Sequence, residues 1–451
     1  MKIALIVDRT QCYTGTVASH INALLTHSEH EVHSVDYRAV LSSEFELDDF
    51  NALVHHYSLR ICFPYYSQQL LDRESGFRGL KFLFIQDEYD SVNVASKVIN
   101  YVGYNLVFSC VPPQHIPWVY AGVDRSVTDF THVLTGYASD APLNEFAAAS
   151  NEERPYNVSY RGRDIGIRYG QLGRQKVEFP QKVLSRCSTL GLSHSIAWTE
   201  HERLYGADWQ SLLRQSSVVL GTPSGSNVFD FDGKLAKRVS TLRSGGCADE
   251  MIYEQLVAPL ERPGVMNQIS PRVFEALEQG CALCLLEDDY SGLLRPNEHY
   301  FAVRADYSNL DEILELLRDP REVKAKQQCA FDDLIRSRLF TYSSMAQGFD
   351  QAISHVSKNL WPSLVSANHS ESSPHLRNVG RRHIRRLRFA FIWQPPLIDS
   401  RLRVLGSLSR QRGKGLAWRF KHAIRVRLSR AKSLAWRFKH AIRVRLSRTK
   451  A

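Results

Sequence analysis

The sequence has 451 residues, of which 43% are hydrophobic and 23% charged, so it carries enough apolar side chains for two α/β domains. The net charge of +10 is unevenly spread, because residues 381–451 hold 22 Lys/Arg and one acid whereas residues 1–380 hold 35 Lys/Arg and 46 acids. Because the body is acidic and only the tail is basic, the composition excludes a nucleic-acid-binding protein that is basic throughout. Nucleic acid is therefore not the partner that the charge distribution predicts.

The eight cysteines are scattered, and the one C-x-x-C pair, Cys281 and Cys284, lies in an apolar run. Without a second such pair we interpret both as small buried side chains, and we predict no metal site. The N-terminus lacks the apolar segment of a signal peptide, and no run approaches the length that spans a membrane. These features predict a cytoplasmic protein in a reducing compartment.

Apolar runs alternate with helical spacing through residues 1–150. The predicted strands are Lys2–Asp8, Glu31–Tyr37, Ala52–Ser58, Lys81–Asp87 and Leu106–Cys110, with a sixth candidate at His132–Gly136. This alternation predicts a parallel Rossmann-like sheet, in which ligands bind at the carboxyl ends of the strands.

Polar side chains at those strand ends are the candidate ligand contacts of the first domain. They are Thr10, Thr14–Thr16, His55, His56, Tyr57 and Gln86–Tyr89. Asp87 and His132 are candidates for a general base. The acidic run around Asp87 also fits a helix cap, and neighbouring strand residues such as His55 and His56 point to opposite faces.

Residues 151–335 repeat the pattern, with strands predicted at Tyr156–Tyr160, Ser195–Thr199, Ser217–Leu220, Cys281–Leu286 and Tyr300–Val303. The fold class is therefore α/β, with two Rossmann-like domains in series. A helix is expected at Tyr342–Val356, where Met345, Phe349 and Ile353 recur every four residues.

Two loops of the second domain combine features that suit phosphate. Residues 161–176 mix glycine with five cationic side chains, including Arg163 and Lys176, although a flexible basic linker would look similar. Residues 221–226 follow a predicted strand, and Ser224, Gly225 and Ser226 could line a phosphate or sugar pocket.

The stretch Gln268–Leu286 combines a short helix, a glycine stop and a buried strand. Ser270 and Pro271 fit the first positions of the helix, whose free N–H groups favour an anion. Arg272 adds a donor, and Glu275 could accept hydrogen bonds from a ribose diol. Alternatively, Glu275 is an ordinary surface carboxylate.

The segment SPRVFEALEQGCALCLLEDDYSGLLRPNEHY is similar to the donor site of GT-B glycosyltransferases of the family-4 type. It most resembles the spore-maturation-protein-like subgroup, and the resemblance extends over residues 1–355. By that resemblance Arg163 and Lys176 would hold the donor diphosphate, and the last helix would return to the first domain. The sequence departs from the family at Asn267, where a first glutamate is expected eight residues before Glu275.

The resemblance implies a GT-B fold and a metal-independent transferase of polysaccharide biosynthesis that needs no cofactor beyond its nucleotide-sugar donor. The acceptor would be a glycan, a lipid-linked glycan or a protein. A sugar-nucleotide epimerase and a non-catalytic assembly protein of the same fold are the alternatives, and Asn267 keeps the second of these open.

The C-terminal part begins with a predicted linker over residues 358–380, followed by a basic tail over 381–451. The tail repeats LAWRFKHAIRVRLSR at Leu416–Arg430 and Leu434–Arg448, an offset of five helical turns. Basic helices with aromatic anchors are typical of peripheral binding to an anionic membrane, here its inner face. A helix for a partner protein and a loose tail that adheres to nucleic acid are the alternatives.

Overall fold

The apolar runs of the N-terminal half form a six-stranded sheet in the computed structural model, which describes residues 1–12, 14–42, 44–62, 67–143 and 154–369. All its strands are parallel, in the order β2-β1-β3-β4-β5-β6. They are β1 (Lys2–Val7), β2 (Glu31–Asp36), β3 (Ala52–His55), β4 (Leu80–Phe84), β5 (Leu106–Ser109) and β6 (Asp129–His132).

A second parallel sheet follows, in the order β11-β10-β9-β7-β8. Its strands are β7 (Tyr156–Arg161), β8 (His194–Ala197), β9 (Ser216–Gly221), β10 (Ala282–Leu286) and β11 (Phe301–Val303). In each sheet the second strand lies on one side of the first, and the third lies on the other. This reversal creates a topological switch point, between β1 and β3 in one sheet and between β7 and β9 in the other.

Helices connect the strands and cover the sheets. In the N-terminal half they are α1 (Gly15–His27), α2 (Tyr37–Val40), α3 (Gln68–Gly76), α4 (Val92–Val102) and α5 (Ile116–Val119). In the rest of the described chain they are α6 (Gly170–Leu190), α7 (Gly206–Arg214), α8 (Lys234–Ser244), α9 (Asp249–Ile252), α10 (Pro271–Glu278), α11 (Leu310–Leu316), α12 (Pro320–Phe331) and α13 (Tyr342–His369).

Helix α13 packs on the first sheet. Met345, Phe349 and Ile353 are buried there against α1 and the apolar face of β1, β3, β4 and β5. The described residues belong to one compact unit. The α/β fold class with two parallel Rossmann-like sheets is therefore confirmed by strand order and direction, and the last helix on the first sheet completes the GT-B arrangement.

Three predicted boundaries were wrong. The sixth strand ends at His132 rather than beginning there. Helix α6 begins at Gly170, so the second half of the loop predicted over residues 161–176 is helical, because Leu172, Phe179 and Val183 supply a buried face. Helix α13 continues to His369, because extending an existing helix is easier than starting one, so residues 358–369 are not linker.

The rest of the predicted linker and the basic tail lie outside the described residues. Within the residues that the structure describes, no helix is both long and apolar enough to cross a membrane.

Candidate active site

The switch point of the second sheet brings together residues that are far apart in sequence. Arg163 follows β7, Thr222 and Pro223 follow β9, and the first turn of α10 contributes Ser270 and Arg272. A small cavity at this edge is lined by Thr222, Ser270 and Arg272 together with apolar side chains of β9 and β10. The carboxyl edge at a switch point is where open α/β sheets bind their ligands.

Lys176 reaches this edge from α6. Its Nζ lies 3.0 Å from the carbonyl oxygen of Pro223 and 3.5 Å from Oγ1 of Thr222. Burial, together with the positive charges of Arg272 and Arg163, lowers the pKa of Lys176 to about 8. The lysine is therefore held among other cations without a carboxylate partner in the described part of the chain.

Arg272 lies between two aromatic rings. Its guanidinium carbon is 5.5 Å from the ring centre of Tyr160 and 5.4 Å from that of Trp209. Cation–π contacts of this kind hold a guanidinium in place while leaving its N–H groups available to a ligand. Tyr160 is itself fixed, because its hydroxyl donates to the carbonyl oxygen of Lys176 over 2.9 Å.

Glu275 is not the ordinary surface carboxylate of the alternative interpretation. Its Oε2 accepts a hydrogen bond of 2.7 Å from the indole N–H of Trp209, and the carboxylate is half-buried. Trp209 therefore positions both Arg272 and Glu275, one through its ring face and the other through its N–H. Sequence reasoning missed Trp209, and an aromatic residue in α7 gives no local signal of such a role.

Arg163 is the most exposed cation of the group, with 53% of its side chain accessible. It lies 3.8 Å from Glu200, which is itself 68% exposed, and such exposed pairs are weak. Arg163 is thus able to turn toward an anion at little cost.

In the loop after β9, the residues predicted to line a phosphate or sugar pocket are engaged in contacts within the protein. The backbone of Ser224 is occupied by a two-way pairing with Gln268, over 2.8 and 2.9 Å. Gly225 has a φ of +99°, and a Cβ there would collide with the carbonyl oxygen of Met266. The hydroxyl of Ser226 is buried and donates to the carbonyl oxygen of Val228 over 2.7 Å.

Gly225 and Ser226 therefore shape the loop, while Thr222 lines the cavity and the carbonyl oxygen of Pro223 binds Lys176. Ser270 occupies the N-cap position of α10 and Pro271 is its first helical residue, as predicted. The Ser270 side chain, however, makes no hydrogen bond to the N–H groups of the helix. The first N–H groups of α10 are accordingly not covered by that hydroxyl.

A second cavity, of about 140 Å³, lies at the switch point of the first sheet. Its lining residues come from the ends of β1, β3 and β4 and from the start of α1, and they are Gln11, Thr14, Val17, Tyr57, Ser58, Arg60, Gln86 and Asp87. The Tyr57 hydroxyl is buried and lacks a hydrogen-bond partner within the described ranges. An unpaired donor of this kind favours a ligand that brings an acceptor.

Asp87 has a φ of 56°, which is uncommon for a residue other than glycine, asparagine or aspartate. Its Oδ1 accepts from the hydroxyl of Tyr89 over 2.8 Å, and its carboxylate forms an ion pair with Arg60. These two partners hold the Asp87 carboxylate at the cavity wall.

The other acidic and histidine candidates of the first sheet do not reach this cavity. His55 and His56 are fully buried, paired with Glu74 and His20 respectively. Glu88 is buried beneath the sheet end, where it accepts from Ser109, Tyr120 and the N–H of Cys110.

His132 ends β6, two strands from β4, and it does not line the cavity that contains Asp87. Burial lowers the pKa of its imidazole. The structure therefore separates the two predicted candidates for a base and places only Asp87 at the cavity.

Cys281 and Cys284 are both fully buried, in agreement with their interpretation as apolar side chains. Burial raises the pKa of the Cys281 thiol to about 11. In the part of the chain described here, no group of three or more His, Cys, Asp or Glu side chains is arranged to hold a metal ion.

Three solved structures with similarity to this chain have low sequence identity to it. Anabaena HepE in complex with UDP and glucose gives a TM-score of 0.45 at 11% identity, over 79% of this chain and 100% of HepE. T4 phage BGT in complex with its UDP-glucose substrate gives 0.44 at 11% identity, over 79% of this chain and 99% of BGT. TarM gives 0.36 at 10% identity, over 66% of this chain and 53% of TarM.

TM-scores this low do not establish a common fold, so the fold of the chain is assigned from the strand order given above. No protein-family model and no curated protein matches the sequence.

Proposed function

We propose that the protein is a glycosyltransferase of GT-B architecture that transfers a sugar from a nucleoside-diphosphate sugar to an acceptor hydroxyl. The observation that carries the proposal is the position of Lys176 beside Arg272 and Arg163 at the switch point of the second sheet. Like charges brought together in a half-buried place disfavour one another unless an anion joins them. A diphosphate supplies that charge and matches the fork of a guanidinium.

The same edge offers a place for the nucleoside. Glu275 uses Oε2 to bind Trp209, which leaves Oε1 to accept from a ribose hydroxyl. The first turn of α10 adds N–H donors and a partial positive charge beside the phosphates. As the bond between sugar and diphosphate breaks, Lys176, Arg272 and Arg163 would stabilise the charge that develops on the leaving group. In this proposal these side chains and the N–H groups of α10 provide that stabilisation, and no metal ion is required.

The cavity of the first sheet is the proposed acceptor side. Asp87 would accept the proton of the acceptor hydroxyl while the oxygen of that hydroxyl attacks the anomeric carbon of the sugar and the nucleoside diphosphate departs. A polar cavity of about 140 Å³ is of a size for one sugar ring or a similar polyol. A glycan, a lipid-linked glycan and a protein glycosylation site all fit this description.

A screen of sugar nucleotides with the full-length protein tests the proposal. UDP-, GDP- and dTDP-sugars are incubated with and without oligosaccharide acceptors, and release of the nucleoside diphosphate is followed. We expect release with one nucleotide class, and its loss in Glu275→Ala but not in Glu312→Ala, which alters an exposed residue of α11. Release that is unchanged in Glu275→Ala would contradict the proposed nucleoside position.

A non-catalytic assembly protein remains the second candidate, because the polar amide of Asn267 stands where the resemblance leads one to expect an acid. The same substitution disfavours a sugar-nucleotide epimerase, which needs acids near the sugar. Absence of binding to UDP, GDP and dTDP by the wild-type protein would favour the assembly function.

A further inference from the structure

Asn267 makes a specific contact with an acid that follows the next strand. Its Nδ2 donates to both carboxylate oxygens of Asp288, at 2.8 Å each. Its Oδ1 accepts from the N–H of Gly264 over 3.2 Å, so the orientation of the amide is fixed. Asn267 is buried, whereas Asp288 is half-buried. The amide therefore fixes the orientation of the carboxylate, which stays partly accessible.

The strand register places Asp288 at the same edge as the cationic group. Leu285 of β10 is level with Gly221 of β9, so Asp288 lies three residues beyond the end of that pairing, as Ser224 does. Ser224 pairs with Gln268, the neighbour of Asn267. Lys176 binds the carbonyl oxygen of Pro223, the neighbour of Ser224. Asp288 is thus connected to the loop that Lys176 contacts through the side chain of Asn267 and the backbone pairing of Gln268 with Ser224.

The turn after Asp288 is strained and anchored. Tyr290 and Ser291 have φ values of 46° and 59°, in the left-handed region that such residues rarely adopt. The Ser291 hydroxyl accepts from the N–H of Ile269 and donates to the side-chain oxygen of Gln268, each over 3.1 Å. Strained backbone of this kind is concentrated at active sites and ligand-binding positions.

The charge of Asp288 is also uncompensated. Across the described residues no Lys, Arg or His forms an ion pair with it, and burial raises the pKa of its carboxyl while the bond from Asn267 lowers it. Besides Asn267 it accepts the N–H of Asp289 over 2.7 Å. A carboxylate has about four acceptor positions, so one or more remain for donors from a ligand. A partly buried carboxylate at the same sheet edge as an anion site suits neutral hydroxyl donors better than a second anion.

We propose that Asp288 binds hydroxyl groups of the transferred sugar and thereby determines which donor sugar is accepted, with Asn267 as its positioning residue. This inference rests on the proposed function, because the sugar must extend from a diphosphate held by Lys176, Arg272 and Arg163. It assigns to the sugar a residue that the sequence alone does not single out.

The test compares each nucleoside diphosphate with its own sugar nucleotide, using calorimetry on the full-length protein. The probe pairs are UDP with UDP-glucose, GDP with GDP-mannose and dTDP with dTDP-glucose. Asp288→Asn keeps the shape and one of the two oxygens that accept from Asn267, while Asp289→Asn alters the exposed neighbour and is the matched control. For the nucleotide class that the wild-type protein binds, we expect Asp288→Asn to lower the affinity for the sugar nucleotide about tenfold. The affinity for the nucleoside diphosphate should stay within about twofold of the wild-type value.

Asn267→Ala should also lower the affinity for the sugar nucleotide relative to that for the diphosphate, but by a smaller factor. The carboxylate of Asp288 remains in this variant but is no longer oriented by the amide. An equal loss for diphosphate and sugar nucleotide in Asp288→Asn would indicate a merely structural role and overturn the inference. So would affinities that match those of Asp289→Asn. Failure of the wild-type protein to bind any of the six probes would instead overturn the proposed function.

Discussion

The indole N–H of Trp209 donates a 2.7 Å hydrogen bond to Glu275, and the same ring lies 5.4 Å from the guanidinium of Arg272. Arg272 and Glu275 are three residues apart on α10, so they share one face of that helix. A single side chain from α7 therefore orients a cation for phosphate and an acid for ribose.

Trp209→Phe keeps an aromatic ring over Arg272 but removes the hydrogen bond to Glu275. We expect the affinity for the nucleoside diphosphate to fall by about fivefold, which corresponds to about 1 kcal/mol for one lost hydrogen bond. Calorimetric titration measures the change. Trp118→Phe, which alters a tryptophan of the first domain, is the control and should bind as the wild type does. Equal affinities for the wild type and Trp209→Phe would show that the contact does not support the site.

Asp87→Asn should abolish transfer without abolishing donor binding. Asparagine tolerates the left-handed backbone that Asp87 adopts, so we expect the variant to fold. Loss of a general base typically lowers kcat by about 10²- to 10⁴-fold. Steady-state kinetics with the acceptor from the screen measures this, with Tyr89→Phe as a control that removes one hydrogen bond to Asp87 and keeps its charge. A kcat within a few-fold of the wild-type value would exclude Asp87 as the base.

Glu88 gives the first domain a pH-dependent stability. Burial raises the pKa of its carboxyl from 4.5 to about 7, although hydrogen bonds from Ser109 and Tyr120 and from the N–H of Cys110 act in the opposite direction. The folded protein therefore holds this proton more tightly than the unfolded chain does. The associated stability is fully present below pH 4.5 and is lost as the pH rises through 7.

Glu88→Gln should remove that dependence, which is on the order of 3 kcal/mol over this range. Urea unfolding at pH 5, 6, 7 and 8 measures it, and Glu44→Gln, at an exposed position, is the control. Parallel pH profiles for Glu88→Gln and the wild type would show that Glu88 does not titrate in this range.

The predicted peripheral membrane role of the tail is independent of the site. Each Lys or Arg near an anionic surface contributes about 1 kcal/mol, so a segment with 22 of them should bind strongly. We expect the full-length chain to float with vesicles that contain anionic lipid and a protein lacking residues 376–451 to remain behind. Flotation of both forms, or of neither, would contradict this role, and neutral vesicles provide the control for charge.

The sheets could be predicted from the sequence because each parallel strand is a short apolar run, as in Lys2–Val7 and Ala282–Leu286. The beginning of α6 could not, since Gly170, Gly173 and Pro180 all suggest a loop. Position 173 of the helix requires glycine, because a Cβ there would be 2.7 Å from the carbonyl oxygen of Gly166. That close approach is a tertiary contact, and no local pattern encodes it.

The candidate site was predictable to a similar extent. Lys176, Arg272 and Glu275 have the chemistry for a diphosphate and a ribose, and their motifs are local. Trp209 and Asp288 act through contacts across 66 and 21 residues of sequence, respectively. Their roles follow from the strand order and helix packing, so only the folded chain reveals them.

Binding of a nucleoside diphosphate to Lys176 tests the central claim most directly. The full-length protein, Lys176→Met and Lys182→Met, an exposed position on the same helix, are titrated with UDP, GDP and dTDP at pH 7 and pH 9. We expect one nucleotide to bind the wild type and Lys182→Met, more weakly at pH 9 because Lys176 loses its proton near pH 8, and to bind Lys176→Met weakly at both pH values. Equal binding by Lys176→Met and the wild type, or no binding of any nucleoside diphosphate, would contradict the proposed donor site.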